Sequence, residues 1–194
     1  NAEEALEAVK LDASRVLNSY PMELSGGMKQ RVIIALALFL KPKFVILDEP
    51  TTALDVIIQR EIIYLLKELK EKYNLTYMLI THDIALVADI ADRVAIMYAG
   101  RIVEEGNVED IFYKPMHPYT IGLLKSVPKI GEFKEEPESI PGSPPDYKKL
   151  PPGCAFHPRC PYARDICRKK VPPLISIDGR RIACHLYLEE CDKI

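Results

Sequence analysis

Two adjacent carboxylates, Asp48 and Glu49, directly follow the apolar run 44–47. Neighbouring anions repel each other, and they are costly to desolvate unless a cation or a chemical task compensates. One interpretation is a phosphoryl-transfer site, in which Asp48 helps to hold Mg²⁺ and Glu49 polarises a water for attack on a phosphate. The alternative is an ordinary strand end in a solvated turn, and the pair alone does not exclude it.

A histidine, His82, follows a second apolar run, 76–80. A single histidine at the end of a strand is more often a structural hydrogen-bonding residue than a catalytic one. If the two runs are neighbouring strands, His82 lies beside Asp48 and Glu49, and this position favours a functional role.

The tripeptide Ser25-Gly26-Gly27 precedes a strongly apolar stretch. A helix that begins on glycines exposes backbone N–H groups and a partial positive charge, and both favour a bound anion. Ser25 then either caps the helix or donates its hydroxyl to a phosphate. A flexible turn with a serine cap is the simpler alternative.

All five cysteines lie after residue 153, and five, six and sixteen residues separate the first four. Four thiolates suit tetrahedral zinc or an iron–sulfur cluster. The closely spaced pairs of most zinc sites are absent, which weakens zinc without excluding it. Structural cysteines or a disulfide remain alternatives, although the sequence shows no secretory signal that favours a disulfide. The five are Cys154, Cys160, Cys167, Cys184 and Cys191.

The hydrophobic pattern predicts the elements that position these residues. An apolar helix over 24–40 begins at the glycines. The run 44–47 predicts a central parallel strand buried on both faces, followed by a helix over 56–73 and a strand over 76–80. These three elements form a βαβ unit, which places both polar groups at the carboxyl ends of neighbouring strands. Open α/β sheets bind ligands at this edge.

The remaining sequence changes character along its length. Residues 1–20 show a short helical pattern, and 94–98 with 101–104 predict a hairpin that closes the sheet. A helix is predicted over 118–127. A proline-rich connector follows, since 13 of the 16 prolines lie after residue 114.

Charge and hydropathy exclude some classes of function. The chain of 194 residues has 26 basic and 28 acidic side chains, so no overall field favours nucleic acid or an anionic membrane. Its longest apolar stretch, 32–40, is about half of the roughly 20 residues that a membrane-spanning helix needs. The acidic start without methionine predicts that the chain begins inside a longer one.

Three motifs in order resemble those of the ATP-binding cassette (ABC) ATPases. LSGGMKQR (24–31) resembles the signature motif, FVILDEPTTALD (44–55) the Walker B strand with its D-loop, and LITHD (79–83) the switch histidine. The resemblance covers about residues 1–110 and implies an α/β, parallel-sheet P-loop NTPase core. It divides the chain into a cassette part at 1–112, a helix and connector at 113–153, and a cysteine-rich region at 154–194.

The resemblance also implies roles for single residues. Asp48 would serve Mg²⁺, Glu49 would be the base, His82 would orient the γ-phosphate and Asp55 would communicate across a dimer. The nucleotide of the opposing subunit would be contacted by Ser25, Gly26, Gly27 and Gln30.

One part of the family pattern is missing, because no G-x-x-x-x-G-K-[ST] motif occurs in the sequence. The glutamine loop and the adenine-stacking aromatic of the family are also absent. We therefore expect an incomplete core, and a chain that alone does not hydrolyse ATP.

A second resemblance concerns the C-terminal region. HPYTIGLL (117–124), a proline-rich connector and GCAFHPRCPYA (153–163) resemble the ATPases of oligopeptide and dipeptide importers. This resemblance implies a [4Fe-4S] cluster on Cys154, Cys160, Cys167 and Cys184. Cys191 would be a bystander. Zinc is the alternative, with His157, His185 or Cys191 as possible substitutes.

The predicted function is an ATP-hydrolysing subunit of a peptide-type importer at the cytoplasmic face of the membrane. Its partners would be a homologous ATPase bound head to tail, two transmembrane permease subunits and, indirectly, an extracellular or periplasmic substrate-binding protein. No nucleic acid partner is predicted. A cassette ATPase acting on DNA or the ribosome, and a metal-binding regulatory module derived from a cassette, are alternatives. Peptide, sugar and nickel remain open as substrates.

Overall fold

A computed structural model describes residues 1–127 and 139–188 of the chain, which divides into two compact units, 1–90 and 91–194. The division does not coincide with the segment boundaries predicted after residues 112 and 153. The reason is that strands on either side of both boundaries pair in one sheet of the second unit. None of the helices in the described ranges combines the length and apolar content needed to span a bilayer.

The first unit contains a parallel strand pair joined by a long helix, as the sequence predicted. Its elements are α1 (Ala2–Ala8), α2 (Ala13–Leu17), a 3₁₀ turn (Pro21–Glu23), α3 (Gly26–Leu38), β1 (Phe44–Asp48), α4 (Val56–Tyr73), β2 (Thr76–Ile80) and α5 (Ile84–Ile90). The register of β1 and β2 runs from Phe44 beside Thr76 to Asp48 beside Ile80.

Local signals explain the long helix α4. The Asp55 side chain accepts from the N–H groups of Ile57 and Ile58 at its start, and Asn74 ends it in the left-handed conformation at φ 50°. One stripe of the helix packs into the core of the unit, which also receives alternate residues of β1. The stripe consists of Ile62, Ile63, Leu65, Leu66 and Leu69.

The prediction that β1 is buried on both faces is wrong for the described residues. Val45 and Leu47 are buried, whereas Phe44 and Ile46 on the other face are 52% and 59% exposed. Met78 and Ile80 of β2 lie on the same face and are 50% and 43% exposed. We call these four side chains the apolar sheet face. They are exposed because α4 and its neighbours pack against only one side of the strand pair.

The second unit contains an antiparallel sheet of its own, in the order β3-β4-β6-β5. The predicted hairpin is present, but it does not close the parallel pair, because β4 pairs instead with a strand from the cysteine-rich region. The elements are β3 (Arg93–Tyr98), β4 (Arg101–Asn107), α6 (Val108–Tyr113), α7 (Pro118–Lys125), a 3₁₀ turn (His157–Arg159), α8 (Asp165–Lys169), β5 (Ile175–Ile177), β6 (Arg180–Ile182) and a 3₁₀ turn (His185–Tyr187).

A buried carboxylate anchors α7 to the sheet. Glu104 of β4 has no exposed surface, and its two oxygens accept from the N–H groups of Met116 at 2.8 Å and His117 at 2.9 Å. His117 in turn caps α7, since its Nδ1 accepts from the N–H of Tyr119 at 3.0 Å. Burial lowers the pKa of His117 to about 4, so the ring is neutral near pH 7. Phe156 packs against this histidine with its ring centroid 5.9 Å away.

Candidate functional site

Glu49 and His82 meet at the carboxyl ends of β1 and β2, as the sequence predicted. His82 Nδ1 lies 2.8 Å from Glu49 Oε1, although the two residues are 33 positions apart in the chain. The backbone N–H of Glu49 donates to the carbonyl of Ile80 at 2.9 Å, which ties the residue after β1 to the last residue of β2. Both side chains reach solvent, with 40% of Glu49 and 76% of His82 exposed.

Thr52 is a member of this site that the sequence reasoning missed. Its hydroxyl donates to Glu49 Oε2, so both oxygens of the carboxylate are engaged. The available signal was a hydroxyl residue three positions after the glutamate in a turn, where short polar side chains bond locally. Glu49 itself has a φ of 47°, and this left-handed backbone conformation begins the turn that contains Thr52.

Hydrogen bonding sets the ionisation of the pair. The Thr52 hydroxyl and then the His82 ring hold the pKa of Glu49 below its usual value. The hydrogen bond to Glu49, followed by the charge of Glu49, raises the pKa of His82. Glu49 is therefore a carboxylate near pH 7, and His82 gains proton affinity from it.

Asp48 is the last residue of β1 and is exposed. It lies on the same face as Ile46, beside Ile80 of the neighbouring strand. An exposed carboxylate next to the Glu49–His82 pair fits Mg²⁺, a hard cation that prefers oxygen ligands.

The start of α3 packs against the start of α4. Ser25 caps α3 by accepting from the N–H of Met28 at 3.3 Å, and both Ser25 and Gly26 are exposed. A Cβ on Gly27 would lie 2.7 Å from Ile58 Cγ2, and one on Gly26 would lie 3.3 Å from Leu54 Cδ2. The two glycines therefore allow the close approach of α4, a packing reason that the sequence reasoning missed.

A single arginine holds α3 in place. Arg31 donates to the carbonyl of Val9 at 3.2 Å and to Glu61 at 2.9 Å, which links α3 to the end of α1 and to α4. Gln30, the other predicted nucleotide contact on this helix, is half-buried one residue earlier. The end of the helix that carries the glycines is thus fixed relative to Asp55, which caps α4.

The four predicted cysteine ligands line one small cavity of about 10 Å³ in the second unit, together with three histidines. None of these four thiols is in a disulfide. Burial raises the pKa of Cys154 and Cys160, and it raises the pKa of Cys184 to about 11, with the other thiols contributing repulsion. Gly153 is required here, because its φ is 71° and a Cβ would lie 2.3 Å from the carbonyl oxygen of Cys167.

The donor atoms that the structure describes in this cavity suit a metal chemically, but they are not arranged around one. Four thiols and a buried histidine nitrogen without a partner are the donor set that a thiophilic metal or cluster prefers. Within the described ranges, however, no three histidine, cysteine, aspartate or glutamate side chains are already arranged as ligands of one metal ion. Cys191 lies outside the described residues.

Comparison with known proteins identifies two families along the chain. Residues 1–52 match the family model described as ABC transporter, and residues 103–167 match the one described as oligopeptide/dipeptide transporter, C-terminal region. The dipeptide transport ATP-binding protein DppD of Caldanaerobacter subterraneus subsp. tengcongensis is 52% identical over 97% of the chain and 58% of its own length. The oligopeptide transport ATP-binding protein OppD of Escherichia coli K12 is 51% identical over 95% of the chain and 55% of its own length.

Solved structures show a similar fold. The ADP conformation of MJ1267, an ATP-binding cassette of an ABC transporter, superposes with a TM-score of 0.54 at 28% identity, over 63% of this chain and 47% of that one. The cbiO1 protein of Clostridium perfringens gives a TM-score of 0.52 at 37% identity, over 58% of this chain and 44% of that one.

The chain spans somewhat more than half the length of the curated relatives it matches. Both family matches, both relatives and both structures agree on one assignment. The curated relatives are named as dipeptide and oligopeptide transport ATP-binding proteins. The chain belongs to the ATP-binding cassette family and has part of the P-loop NTPase core with a loop-rich, cysteine-containing C-terminal extension.

Proposed function

We propose that this chain belongs to the ATP-hydrolysing subunit of a peptide-type importer. The observation that carries the proposal is the 2.8 Å contact between His82 and Glu49 at the carboxyl ends of two parallel strands. The printed names of the relatives, which are dipeptide and oligopeptide transport ATP-binding proteins, support peptides as the transported class.

We assign a separate task to each polar side chain. Glu49, kept ionised by Thr52 and His82, accepts a proton from the water that attacks the γ-phosphate of ATP. His82 directs Nδ1 toward Glu49, and in the protonated ring, which Glu49 favours, Nε2–H on the exposed side donates to a phosphate oxygen. Asp48 would hold Mg²⁺, which would supply charge neutralisation on the phosphates.

The start of α3 serves a nucleotide carried by a second subunit. Ser25 and Gly26 are exposed at the N-terminus of a 13-residue helix, where free N–H groups attract phosphate. We assign Gly27 and Gln30 to the same contact and Asp55 to communication across a head-to-tail dimer with a homologous ATPase. Two permease subunits and a substrate-binding protein complete the importer, with this subunit at the cytoplasmic face of the membrane.

The test uses the whole subunit that contains this sequence, assembled with its transporter. Glu49→Gln keeps the size of the side chain but removes the base, so we expect ATP hydrolysis to fall about 10²–10⁴-fold with ATP binding retained. Glu71→Gln, an exposed glutamate of α4, is the matched control. Unchanged turnover in the Glu49 variant contradicts the assignment. The 194 residues alone contain no G-x-x-x-x-G-K-[ST] motif, and stoichiometric hydrolysis by them would contradict our proposal that they need further sequence.

We also propose that the four cysteines of the cavity hold a [4Fe-4S] cluster, with zinc as the alternative. Their convergence on one cavity from positions up to 30 residues apart supports this proposal. A cluster supplies one-electron chemistry or a cross-link between loops. Anaerobically purified protein should be brown, and Cys160→Ser should lose the colour and the bound iron while Cys191→Ser keeps both. Colourless protein with one zinc per chain selects the alternative, and protein without metal contradicts both.

A further inference from the structure

The second unit has a cleft of about 190 Å³ that shares no lining residue with the cysteine cavity. Its walls come from the proline-rich connector at 143–151, from the loop 155–159 and from Tyr98 at the end of β3. Tyr98 is only 8% exposed, and its ring packs on Phe156 with the centroids 5.2 Å apart. Sites for drug-sized ligands occupy roughly 300–1,000 Å³, so this cleft suits a smaller molecule.

The chain itself holds the walls of the cleft in place. Three of the lining residues are prolines, which have little backbone freedom: Pro145, Pro151 and Pro158. Arg159 fixes the connector, because its Nε donates to the carbonyl of Pro141 at 2.9 Å and its Nη2 donates to the carbonyl of Ile140 at 3.2 Å. A ligand therefore meets a preformed site, and binding needs to order few additional groups.

Three charged side chains line the cleft, and none of them has an ionic partner among the described residues. They are Asp146, Lys149 and Arg159. Asp146 and Lys149 are exposed and lie three positions apart, yet they form no ion pair with each other. Asp146 Oδ1 accepts from the backbone N–H of Lys148 at 2.8 Å, which leaves Oδ2 for another donor. A molecule with one carboxylate and one ammonium complements both signs of charge in this cleft.

Tyr98 gives the cleft an apolar ring and a polar atom that the described chain leaves without a partner. Its hydroxyl is buried and forms no hydrogen bond within residues 1–127 and 139–188. Such a group lowers the stability of the folded state, because water solvates it in the unfolded chain. A polar ligand in the cleft brings hydrogen-bonding atoms to the side chain that lacks them.

We propose that this cleft binds the zwitterion of a short peptide. The carboxylate of the peptide lies at Lys149 and Arg159, its ammonium group lies at Asp146, and its apolar part packs on the Tyr98 ring and the prolines. The choice of a peptide over other zwitterions rests on the proposed function. The cleft itself belongs to a different unit from the Glu49–His82 pair.

The test measures the binding of carbon-14 Ala-Ala by equilibrium dialysis to the whole subunit that contains this sequence, without nucleotide. Two blocked peptides probe the two charges, since acetyl-Ala-Ala lacks the ammonium and Ala-Ala amide lacks the carboxylate. We expect both blocked peptides to compete more weakly than unlabelled Ala-Ala.

Variants of the cleft assign each charge to one end of the peptide. Lys149→Gln should bind Ala-Ala about two- to fivefold more weakly, the range for an exposed charge pair, and should bind the amide like the parent. Asp146→Asn should weaken Ala-Ala to a similar extent and leave acetyl-Ala-Ala unchanged, and its side-chain oxygen can still accept from the N–H of Lys148. Lys148→Gln is the matched control, because Lys148 is exposed and does not line the cleft.

Several results would overturn the proposal. The first is an absence of saturable Ala-Ala binding, and the second is equal binding by the parent and both cleft variants, which would place the peptide elsewhere. If acetate or inorganic phosphate competes as well as Ala-Ala, the cleft is a general anion site and the zwitterion assignment is wrong. Glu49→Gln should bind Ala-Ala like the parent, so a failure of the proposed ATPase mechanism and a failure of this site give different results.

Discussion

At the scale of single residues, the carboxylate of Glu49 is held from two sides. His82 comes from the end of the neighbouring strand, whereas Thr52 comes from the turn that follows Glu49. The sequence predicted the first contact, because parallel strands bring their carboxyl ends together. It did not predict the second, because the contact depends on the left-handed φ of Glu49, and nothing in the residue type Glu indicates that conformation.

Removing the Thr52 hydroxyl should raise the pKa of Glu49. Thr52→Val keeps the shape of the side chain but leaves Oε2 without its donor, and this donor is the main cause of the lowered pKa. A carbon-13 NMR titration of the carboxyl group measures the change. Thr52→Ser retains a hydroxyl and should titrate like the parent. Equal titration of the valine and parent proteins would mean that the hydroxyl has no influence.

The Glu49–His82 pair also makes the stability of the chain depend on pH. The lowered pKa of Glu49 contributes stability above the usual carboxyl pKa of 4.5, and this stability is lost as pH falls through the folded pKa. The raised pKa of His82 contributes stability below 6.5, which is lost as pH rises through the folded pKa. We expect His82→Gln to destabilise the chain most between pH 4.5 and 6.5. Urea unfolding of both proteins across this range tests it, and a difference independent of pH would contradict it.

At the scale of elements, the sequence located the two strands and the helix of the βαβ unit to within two residues. The predicted bounds of α4 and β2 agree with the structure, because their apolar periodicity and the capping residue Asp55 are local signals. The exposed face of β1 was not predictable, because an apolar strand run does not reveal on how many sides it is covered. The pairing of β4 with β6 was also missed, since β6 has only three residues.

The packing of α3 on α4 predicts that the effect of Gly27→Ala on stability depends on the residue at position 58. Gly27→Ala places a Cβ against the branched side chain of Ile58, and we expect a cost of about 1–3 kcal/mol in unfolding free energy. In an Ile58→Ala background the clash disappears, and alanine should then be neutral or stabilising by up to about 1 kcal/mol through its helix propensity. Urea unfolding of the four proteins completes the cycle. Gly26→Ala meets only the end of the Leu54 side chain and should cost less. If Gly27→Ala costs the same unfolding free energy with Ile58 and with Ala at position 58, the proposed clash with Ile58 is refuted.

The anchor between β4 and α7 predicts a second effect on stability. Glu104→Gln leaves the N–H group of Met116 or His117 facing an amide NH₂ instead of an oxygen, and we expect a loss of about 1–3 kcal/mol. The midpoint of urea denaturation measures this loss. Glu109→Gln, at an exposed position of α6, is the matched control. If both variants unfold at the same urea concentration, the anchor contributes little.

At the scale of the whole molecule, each compact unit has its own sheet. The first unit carries the nucleotide motifs, and the second carries the HPYT helix and the cysteines. The sequence resemblance located both groups of motifs, because motifs are contiguous in the chain. It placed the boundary after residue 112, whereas the contacts place it after residue 90, where the antiparallel sheet begins.

The apolar sheet face of the first unit predicts self-association of the isolated chain. Contiguous exposed apolar side chains attract other surfaces, and Ile46 lies directly beside Met78 on this face. Replacing both with threonine, which suits strands, should lower the apparent mass in sedimentation velocity experiments. Tyr113→Thr is the control, because Tyr113 is 83% exposed but lies outside the face. Equal association of all three proteins would show that this face is not responsible.

The pairing of β4 with β6 also governs how the second unit is completed during synthesis on the ribosome. Arg181 is made 76 residues after Glu105, the residue beside which it lies in the sheet. At about 5–20 residues per second, β4 is synthesised about 4–15 s before its partner. Throughout that interval its outer edge has unpaired N–H and C=O groups that any other strand can bind. The order of translation therefore leaves this edge open to wrong pairing until β6 has been made.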